Sequence, residues 1–327
     1  MKLSLSLFAA MFGLSITANA ENAFLKLAKT IPLPNVEGRF DHFAIDEKGQ
    51  RLFVAALGNN TLEIVDLKNG RRLQSVPNMR KPTGVAYVPE SNRVYVGNGD
   101  DGSLKIVDGK SYKILQSLGS LDDADNVRFD SRKKQIYIGY AAGALAAVDS
   151  ENDKLLDRIK LKGHPESFQL EQTGNRIFVN VPDAKQIAVI DREKKEVVQT
   201  WPLQKFTANF PMTLDESNHR LLVGCRSPAR LVVFDTIDGK MVSDIEISGD
   251  TDDLFYDAKR KRIYISCGEG FVDVVEQSSP DNYKRIGKIP SSAGARTSFF
   301  SPASDEFYLA VPRRGNQQAE IRVYTVN

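Results

Sequence analysis

The chain has 327 residues, of which 41% are hydrophobic and 9% aromatic, and its 44 Lys and Arg residues nearly balance its 42 Asp and Glu residues. This balance gives no electrostatic reason to expect nucleic acid or an anionic membrane as the main partner. The length is ample for one domain with its own hydrophobic core.

The first twenty residues have the pattern of a secretory signal peptide. Lys2 precedes an apolar run from Leu3 to Ile16, and small residues follow up to Ala20. The run is too short and too interrupted by Ser and Gly to span a membrane. We therefore predict cleavage after Ala20 and export of residues 21–327, as a single domain, to the periplasm or the medium.

The rest of the sequence repeats a pattern of short strands. One strand of this pattern recurs at intervals of 41 to 44 residues and begins at Arg51, Arg93, Gln135, Arg176, Arg220, Arg262 and Glu306. The strand after it ends on an acid in six repeats, at Asp66, Asp108, Asp149, Asp191, Asp235 and Glu276. A period of this length, filled with short β-branched and aromatic runs, is typical of a β-propeller. We predict an all-β fold with seven blades of four strands.

The last blade needs a strand from the other end of the chain. The seventh repeat supplies only three strands, within 296–302, 306–312 and 320–326. Residues 24–33 match the pattern of a fourth strand and precede the first repeat. We predict that they pair with the carboxy-terminal strand and close the ring, because an open edge would expose unpaired backbone groups.

The two cysteines occupy equivalent strand positions. Cys225 and Cys267 are each the sixth residue of their strands, so their side chains are expected on the same face of neighbouring blades. Adjacent blades meet front to back, which places such side chains too far apart for a bridge. We expect two buried thiols, with a disulfide as the alternative that export would permit.

Several strands resemble the YVTN-type β-propeller repeat. The resemblance lies in Arg93-Val-Tyr-Val-Gly-Asn with Ser103-Leu-Lys-Ile-Val-Asp, and in the parallel Arg51-Leu-Phe-Val with Thr61-Leu-Glu-Ile-Val-Asp. It extends over nearly all of residues 21–327 and implies an exported, seven-bladed propeller of the kind that acts in binding or as a scaffold. The Tyr-Val-Thr-Asn signature itself is replaced by Tyr95-Val-Gly-Asn, so the resemblance indicates the fold more than the activity.

Polar residues cluster where the innermost strands begin. The positions ten and nine residues before each recurrent strand hold Asp41-His42, Thr83-Gly84, Asp125-Asn126, Glu166-Ser167, Phe210-Pro211, Asp252-Asp253 and Arg296-Thr297. In a propeller these positions converge at one mouth of the central channel. Non-repeating polar groups at a concave mouth indicate a binding site, although Asp, Asn and Ser also stabilise strand starts and turns. We predict a ligand site formed by Asp41, His42, Asn126, Glu166, Asn209, Arg226, Asp252, Asp253, Glu269 and Arg296.

Two kinds of chemistry are compatible with this mouth. Oxygen atoms of Asn126, Glu166, Asn209 and Asp253 suit Ca²⁺, in an arrangement similar to the axial calcium site of gluconolactonase-type propellers.

Alternatively, His42 flanked by Asp41 and facing Arg296 would perform acid–base catalysis, and His164 with Glu166 would form a transition-metal or general-base cluster. The structural alternative is that His164-Pro165 shapes its loop and that His42 hydrogen-bonds a backbone carbonyl.

The sequence contains no complete catalytic motif, with neither a Gly-x-Ser-x-Gly elbow nor a Cys-x-x-Cys pair. We therefore predict a monomeric binding or scaffold protein that takes a small molecule or a protein partner at the channel mouth. The alternative is a calcium-assisted hydrolase, lactonase or lyase that uses the same mouth. On either interpretation, substitution of His42 or Asp253 is expected to leave the fold intact.

Overall fold

The computed structural model describes residues 24–140 and 143–327, and in these residues seven four-stranded antiparallel sheets form a β-propeller. The predicted signal peptide, residues 1–20, lies outside the described residues. No helix in the described part of the chain is both long and apolar enough to cross a membrane.

The strands follow one another from the inside to the outside of each blade. A first strand, β1 (Leu25–Pro32), precedes blade one, which contains β2 (Phe43–Asp46), β3 (Arg51–Ala56), β4 (Thr61–Asp66) and β5 (Arg71–Val76). Blade two contains β6 (Pro82–Val88), β7 (Arg93–Asn98), β8 (Ser103–Asp108) and β9 (Ile114–Leu118). Blade three contains β10 (Val127–Asp130), β11 (Gln135–Tyr140), β12 (Ala144–Asp149) and β13 (Leu155–Lys160).

The remaining blades repeat this order. Blade four contains β14 (Phe168–Leu170), β15 (Arg176–Val181), β16 (Gln186–Asp191) and β17 (Glu196–Pro202). Blade five contains β18 (Thr207–Asp215), β19 (Arg220–Ser227), β20 (Ala229–Asp235) and β21 (Met241–Glu246). Blade six contains β22 (Thr251–Asp257), β23 (Arg262–Cys267), β24 (Phe271–Ser279) and β25 (Asn282–Pro290). Blade seven contains β26 (Ser298–Ser301), β27 (Glu306–Val311) and β28 (Glu320–Val326), and short 3₁₀ turns occupy Leu57–Asn59 and Pro182–Ala184.

The periodicity located the strands accurately. All seven second strands begin at the residues predicted from the repeat, and five of the six acid-terminated strands end at the predicted acid. These acids end strands because their carboxylates accept backbone N–H groups of the following turn, as Asp191 does from Glu193 at 2.9 Å. The exception is β24, which continues past Glu276 because its hairpin with β25 extends to the pair Ser279–Asn282.

The amino-terminal strand closes the ring, as predicted. It pairs antiparallel with β28, from Leu25 opposite Val326 to Pro32 opposite Glu320. Leu25 and Ile31 are almost fully buried, in the clusters on either side of blade seven, whereas Leu27 is 48% exposed. Blade seven thus draws its four strands from both ends of the chain.

The hydrophobic core lies between the blades. The described residues contain seven buried clusters, one at each junction between neighbouring blades. Cys225 belongs to the cluster between blades four and five, and Cys267 to the one between blades five and six. Both thiols are free and buried, as expected, because different interfaces hold them apart.

Candidate functional site at the mouth of the central channel

One polar pocket occupies the mouth of the channel. It has a volume of about 100 Å³, and its lining comes from six of the seven blades. The lining residues are Arg39, Asp41, His42, Asp125, Glu166, Phe210, Arg226, Asp252 and Arg296. Blade two is absent from this lining because its equivalent positions are the small residues Thr83 and Gly84. The pocket is therefore a ring of charges of both signs around the propeller axis.

Strand alternation decides which residue of each aligned pair reaches the pocket. Successive side chains of an extended segment point in opposite directions. In blade three the first residue, Asp125, lines the pocket, whereas Asn126 is buried and its Oδ1 has no hydrogen-bond partner within the described ranges 24–140 and 143–327. In blade six Asp252 lines the pocket and Asp253 lines the channel below it. In blades three and six the first position of the pair thus forms the mouth, whereas in blade one both Asp41 and His42 line it.

His42 links two blades across the axis. Its Nδ1 lies 3.1 Å from Oδ1 of Asp253 on blade six, and its Nε2 lies 3.5 Å from Oδ1 of Asp41. Asp253 also accepts the backbone N–H of Ser298 on blade seven at 2.9 Å. His42 lines both the mouth pocket and the channel, so this pair forms the boundary between the two cavities.

The charge of His42 follows from these contacts. Burial lowers the pKa of the imidazole, but the carboxylates of Asp253 and Asp41 outweigh that effect and raise the pKa to about 10. His42 is therefore an imidazolium at neutral pH, with both ring nitrogens close to carboxylates. In this state His42 cannot serve as a general base, because a general base must be free to accept a proton.

Asp41 titrates close to neutrality. Burial raises its pKa from 3.8 to about 7; the charges of Asp125 and Asp252 add to this rise, and those of His42 and Arg39 oppose it. The Arg39 guanidinium lies 3.3 Å from Asp41 Oδ2. Among the groups of this pocket, Asp41 is thus suited to both donating and accepting a proton near pH 7.

Two arginines hold Asp252 in place. Arg226 donates to Asp252 Oδ1 at 2.5 Å, and Arg296 lies 3.0 Å from Oδ2 of the same carboxylate. Both guanidinium groups also approach Asp250. Arg226 stacks 4.1 Å from the centre of the Phe210 ring. These contacts connect blades five, six and seven and orient two cations at the edge of the pocket.

A second charged group lies on the side of blades three and four. Single ligand atoms of Asp125, His164 and Glu166 all lie within 4.8 Å of one another. His164 Nε2 is 3.3 Å from Asp125 Oδ2 and 4.0 Å from Glu166 Oε1. The Nδ1 atom of His164 is buried and has no hydrogen-bond partner among the residues that the structure describes. One imidazole and two carboxylates are a donor set typical of a transition metal such as Zn²⁺.

The structure brings six of the ten predicted ligand residues into the mouth pocket: Asp41, His42, Glu166, Arg226, Asp252 and Arg296. Asp253 lies directly below, in contact with His42. Asn126, Asn209 and Glu269 do not line the pocket. Asn209 is fully buried and donates to Asn180 Oδ1 at 2.9 Å, while Glu269 is exposed on the loop between β23 and β24.

The four predicted calcium ligands lie in different surroundings. Glu166 lines the mouth, Asp253 lines the channel, and Asn126 and Asn209 line neither cavity. The amide oxygens of both asparagines are buried and have no partner in the described part of the chain, which is an unusual state for polar atoms. The structure favours the His164–Glu166 pairing over the calcium set, because Asp125 completes a compact group there.

The predicted ligand set omitted three charged residues, Asp125, Arg39 and Arg128. Arg39 lies two residues before Asp41 in an extended segment, and the alternation of side chains was a signal that could have included it. Arg128 lies two residues after Asn126 and enters the channel, which has a volume of about 340 Å³ and receives side chains from the inner strands of all seven blades. The repeat period does not distinguish Arg128 from its neighbours, because the period does not show which face of the inner strand borders the channel axis.

Comparisons with known proteins identify the fold alone. No protein-family model matches the sequence, and no curated protein matches it. A chain of the Kuenenia stuttgartiensis hydrazine synthase structure superposes with a TM-score of 0.76 at 15% identity, over 88% of this chain and 97% of that one. A chain from the crystal structure of the mitotic checkpoint complex superposes with a TM-score of 0.78 at 12% identity, over 100% of this chain and 98% of that one. This chain is therefore similar to known β-propellers in architecture.

Proposed function

We propose that this protein is an exported, monomeric binding protein of the YVTN type, which takes a small charged ligand or the polar tip of a protein partner at the channel mouth. The observation that carries the proposal is the pocket of about 100 Å³ in which six blades present unlike charged groups. Polar groups that converge in a concave site are the usual basis of ligand specificity.

The arrangement of charges supports binding by complementary ion pairs. Arg226 and Arg296 come from blades five and seven, and Asp125 and Glu166 from the starts of blades three and four. A ligand that carries both a negative and a positive group would meet a partner for each. Because the side chains are held by neighbouring blades, little conformational entropy is lost when the ligand binds.

Export is supported by residues 1–20, whose charged start, apolar run and small residues have the form of a signal peptide. The mass of the mature protein isolated from the periplasm or medium tests this proposal. A chain that begins at Glu21 supports it, and an intact chain that remains in the cytoplasm contradicts it.

Arg296→Gln is expected to weaken mouth binding at least about tenfold, because it removes one charge-assisted contact from the pocket. A thermal-shift screen of amino acids and small dicarboxylates on the wild-type protein identifies the probe, and calorimetry then gives its Kd for each variant. Arg71→Gln is the control, since Arg71 lies on an outer strand and its side chain is 70% exposed. Equal affinity in all three proteins would contradict the proposal.

A second candidate function is metal-assisted hydrolysis at the same mouth, and the group Asp125, His164 and Glu166 is the observation that favours it. A divalent metal held there would supply Lewis-acid activation of a bound carbonyl. Asp41 would transfer the proton, since its pKa is about 7 and it lines the same pocket. Arg226 and Arg296 would orient an anionic substrate.

Zn²⁺ added to chelator-treated protein is expected to raise the Tm if this second candidate is correct, because binding to the folded state alone stabilises it. His164→Ala should abolish the rise, whereas His219→Ala should preserve it, since His219 lies in the turn between β18 and β19, outside the pocket. A rise that survives in the His164 variant would assign the metal to another place. No rise in the wild type would eliminate the metal-dependent candidate.

A further inference from the structure

Below the mouth, one side chain from each inner strand borders the channel at an equivalent position, seven residues before each second strand. Two of these residues are small (Ala44 and Ala86), three are polar (Arg128, Gln169 and Thr213), and two are aromatic (Phe255 and Phe299). All seven line the cavity of about 340 Å³. Equivalent backbone positions carry very different side chains, so the wall of the channel differs in size and polarity from blade to blade.

Arg128 is the cation of this ring, and its charge has no direct counterion. Its guanidinium donates to the Val127 carbonyl at 3.1 Å and lies 5.7 Å from the centre of the Phe168 ring. Among residues 24–140 and 143–327, no carboxylate forms an ion pair with it. Burial lowers the pKa of this guanidinium, and the more distant charges of Asp253 and Asp125 only partly offset that effect. An arginine in such surroundings is costly unless an anion pairs with it.

The opposite wall of the channel is aromatic. In a ring of seven blades, blades six and seven lie across the axis from blade three. Their residues Phe255 and Phe299 pack with ring centroids 5.6 Å apart at an angle of 58°. Ala44 and Ala86 leave space between the two walls. The channel therefore has a cation on one side and an apolar aromatic surface on the other.

The other side chains that line the channel do not add a free negative charge that would repel an anion. Of the described residues that line the channel, Asp253 is the one acid, and its carboxylate is paired with the imidazolium of His42 and with the N–H of Ser298. Gln169 donates its amide N–H to the Met212 carbonyl at 2.8 Å and is neutral. Arg128 thus provides the unbalanced charge of the cavity.

We propose that the channel binds a flat, apolar organic acid, whose carboxylate pairs with the Arg128 guanidinium and whose ring system packs against Phe255 and Phe299. The cavity has the size of sites that accept small organic ligands. The planar guanidinium can donate two parallel hydrogen bonds to one carboxylate. This site goes beyond the proposed function, because it lies in a separate cavity and needs no occupant at the mouth.

The test compares 2-naphthoate with its neutral analogue 2-naphthamide, by calorimetry on the mature protein. We expect saturable 1:1 binding of naphthoate to the wild type. Arg128→Gln should weaken naphthoate binding at least about tenfold and leave naphthamide binding nearly unchanged, since only the acid needs the charge. Phe299→Ala should weaken both compounds to a similar extent. Arg132→Gln, an exposed residue in the turn after β10, is the matched control and should change neither.

Stability separates a binding role from a structural one. If Arg128 serves a ligand, Arg128→Gln should leave the Tm unchanged or raise it, because a poorly compensated charge is removed. A lowered Tm would show that Arg128 supports the fold, and would overturn the proposal. Equal naphthoate affinity in the wild type and in Arg128→Gln would also overturn it. The same holds if the folded wild type shows no saturable naphthoate binding. Arg296→Gln alters the mouth pocket and should bind naphthoate with the affinity of the wild type. Failure of the proposal for the mouth can therefore be told apart from failure of the proposal for the channel.

Discussion

Removal of the amino-terminal strand, in a chain that starts at residue 34, is expected to leave the propeller largely unfolded or aggregated. The deletion removes β1 and exposes the whole hydrogen-bonding edge of β28. It also removes Leu25, Ile31 and Leu33, which are buried. At about 1.5–3 kcal/mol for each buried side chain, the loss is roughly 5–9 kcal/mol, comparable with the whole stability of many proteins. Size-exclusion chromatography and urea unfolding measure the effect.

Single substitutions within the strand provide the control for this deletion. Ile31→Ala is expected to lower the free energy of unfolding by about 2–5 kcal/mol, because it creates a cavity between blades seven and one. Leu27→Ala, at an exposed position of the same strand, should change it by less than about 0.5 kcal/mol. A truncated protein as stable as the full mature chain would show that the ring does not depend on this closure.

Asp253→Asn is expected to lower the free energy of unfolding by about 3–5 kcal/mol, because it leaves the buried His42 imidazolium without its main counterion. This prediction replaces the sequence-based expectation that such a substitution would leave the fold intact. The reason for the change is that Asp253 also accepts the N–H of Ser298, so it connects blades one, six and seven. Chemical denaturation of both proteins measures the difference.

The control for this substitution is Asp122→Asn, at an exposed residue of the loop after β9. It should change the stability by less than about 0.5 kcal/mol. In addition, NMR titration should place the pKa of His42 near 10 in the wild type and markedly lower in Asp253→Asn, with His42→Gln used to assign the resonance. A pKa close to 6.5 in the wild type would argue against the ion pair.

The same contacts determine how stability depends on pH. Folding raises the pKa of His42 from 6.5 to about 10, so its stabilising effect is complete below about pH 6.5 and is lost as the pH rises towards 10. Folding also raises the pKa of Asp41 from 3.8 to about 7, which favours the folded state at low pH and lowers stability as the pH rises from about 4 to 7. For these two groups, the free energy of unfolding therefore falls with rising pH. In His42→Gln it should depend less on pH above pH 6.5.

The repeat period alone determined the architecture. Short strands at a constant interval bury their side chains only against neighbouring copies, so the period indicates blades and their number. The missing fourth strand of the last repeat likewise predicted the pairing of β1 with β28, because an open sheet edge is unfavourable. The starts of the inner strands also located the mouth, since they converge on one axis in any propeller.

Only the tertiary structure decided which polar residues meet there, and in which state. A period of about forty residues does not show which of two adjacent side chains points to the axis, so Asp125 and Arg39 were missed while Asn126 and Asn209 were included. It also does not show contacts between distant blades, such as that of His42 with Asp253, which lie 211 residues apart in the chain. Charge and pKa depend on burial and on distances across the ring, and those distances exist only once the blades are assembled.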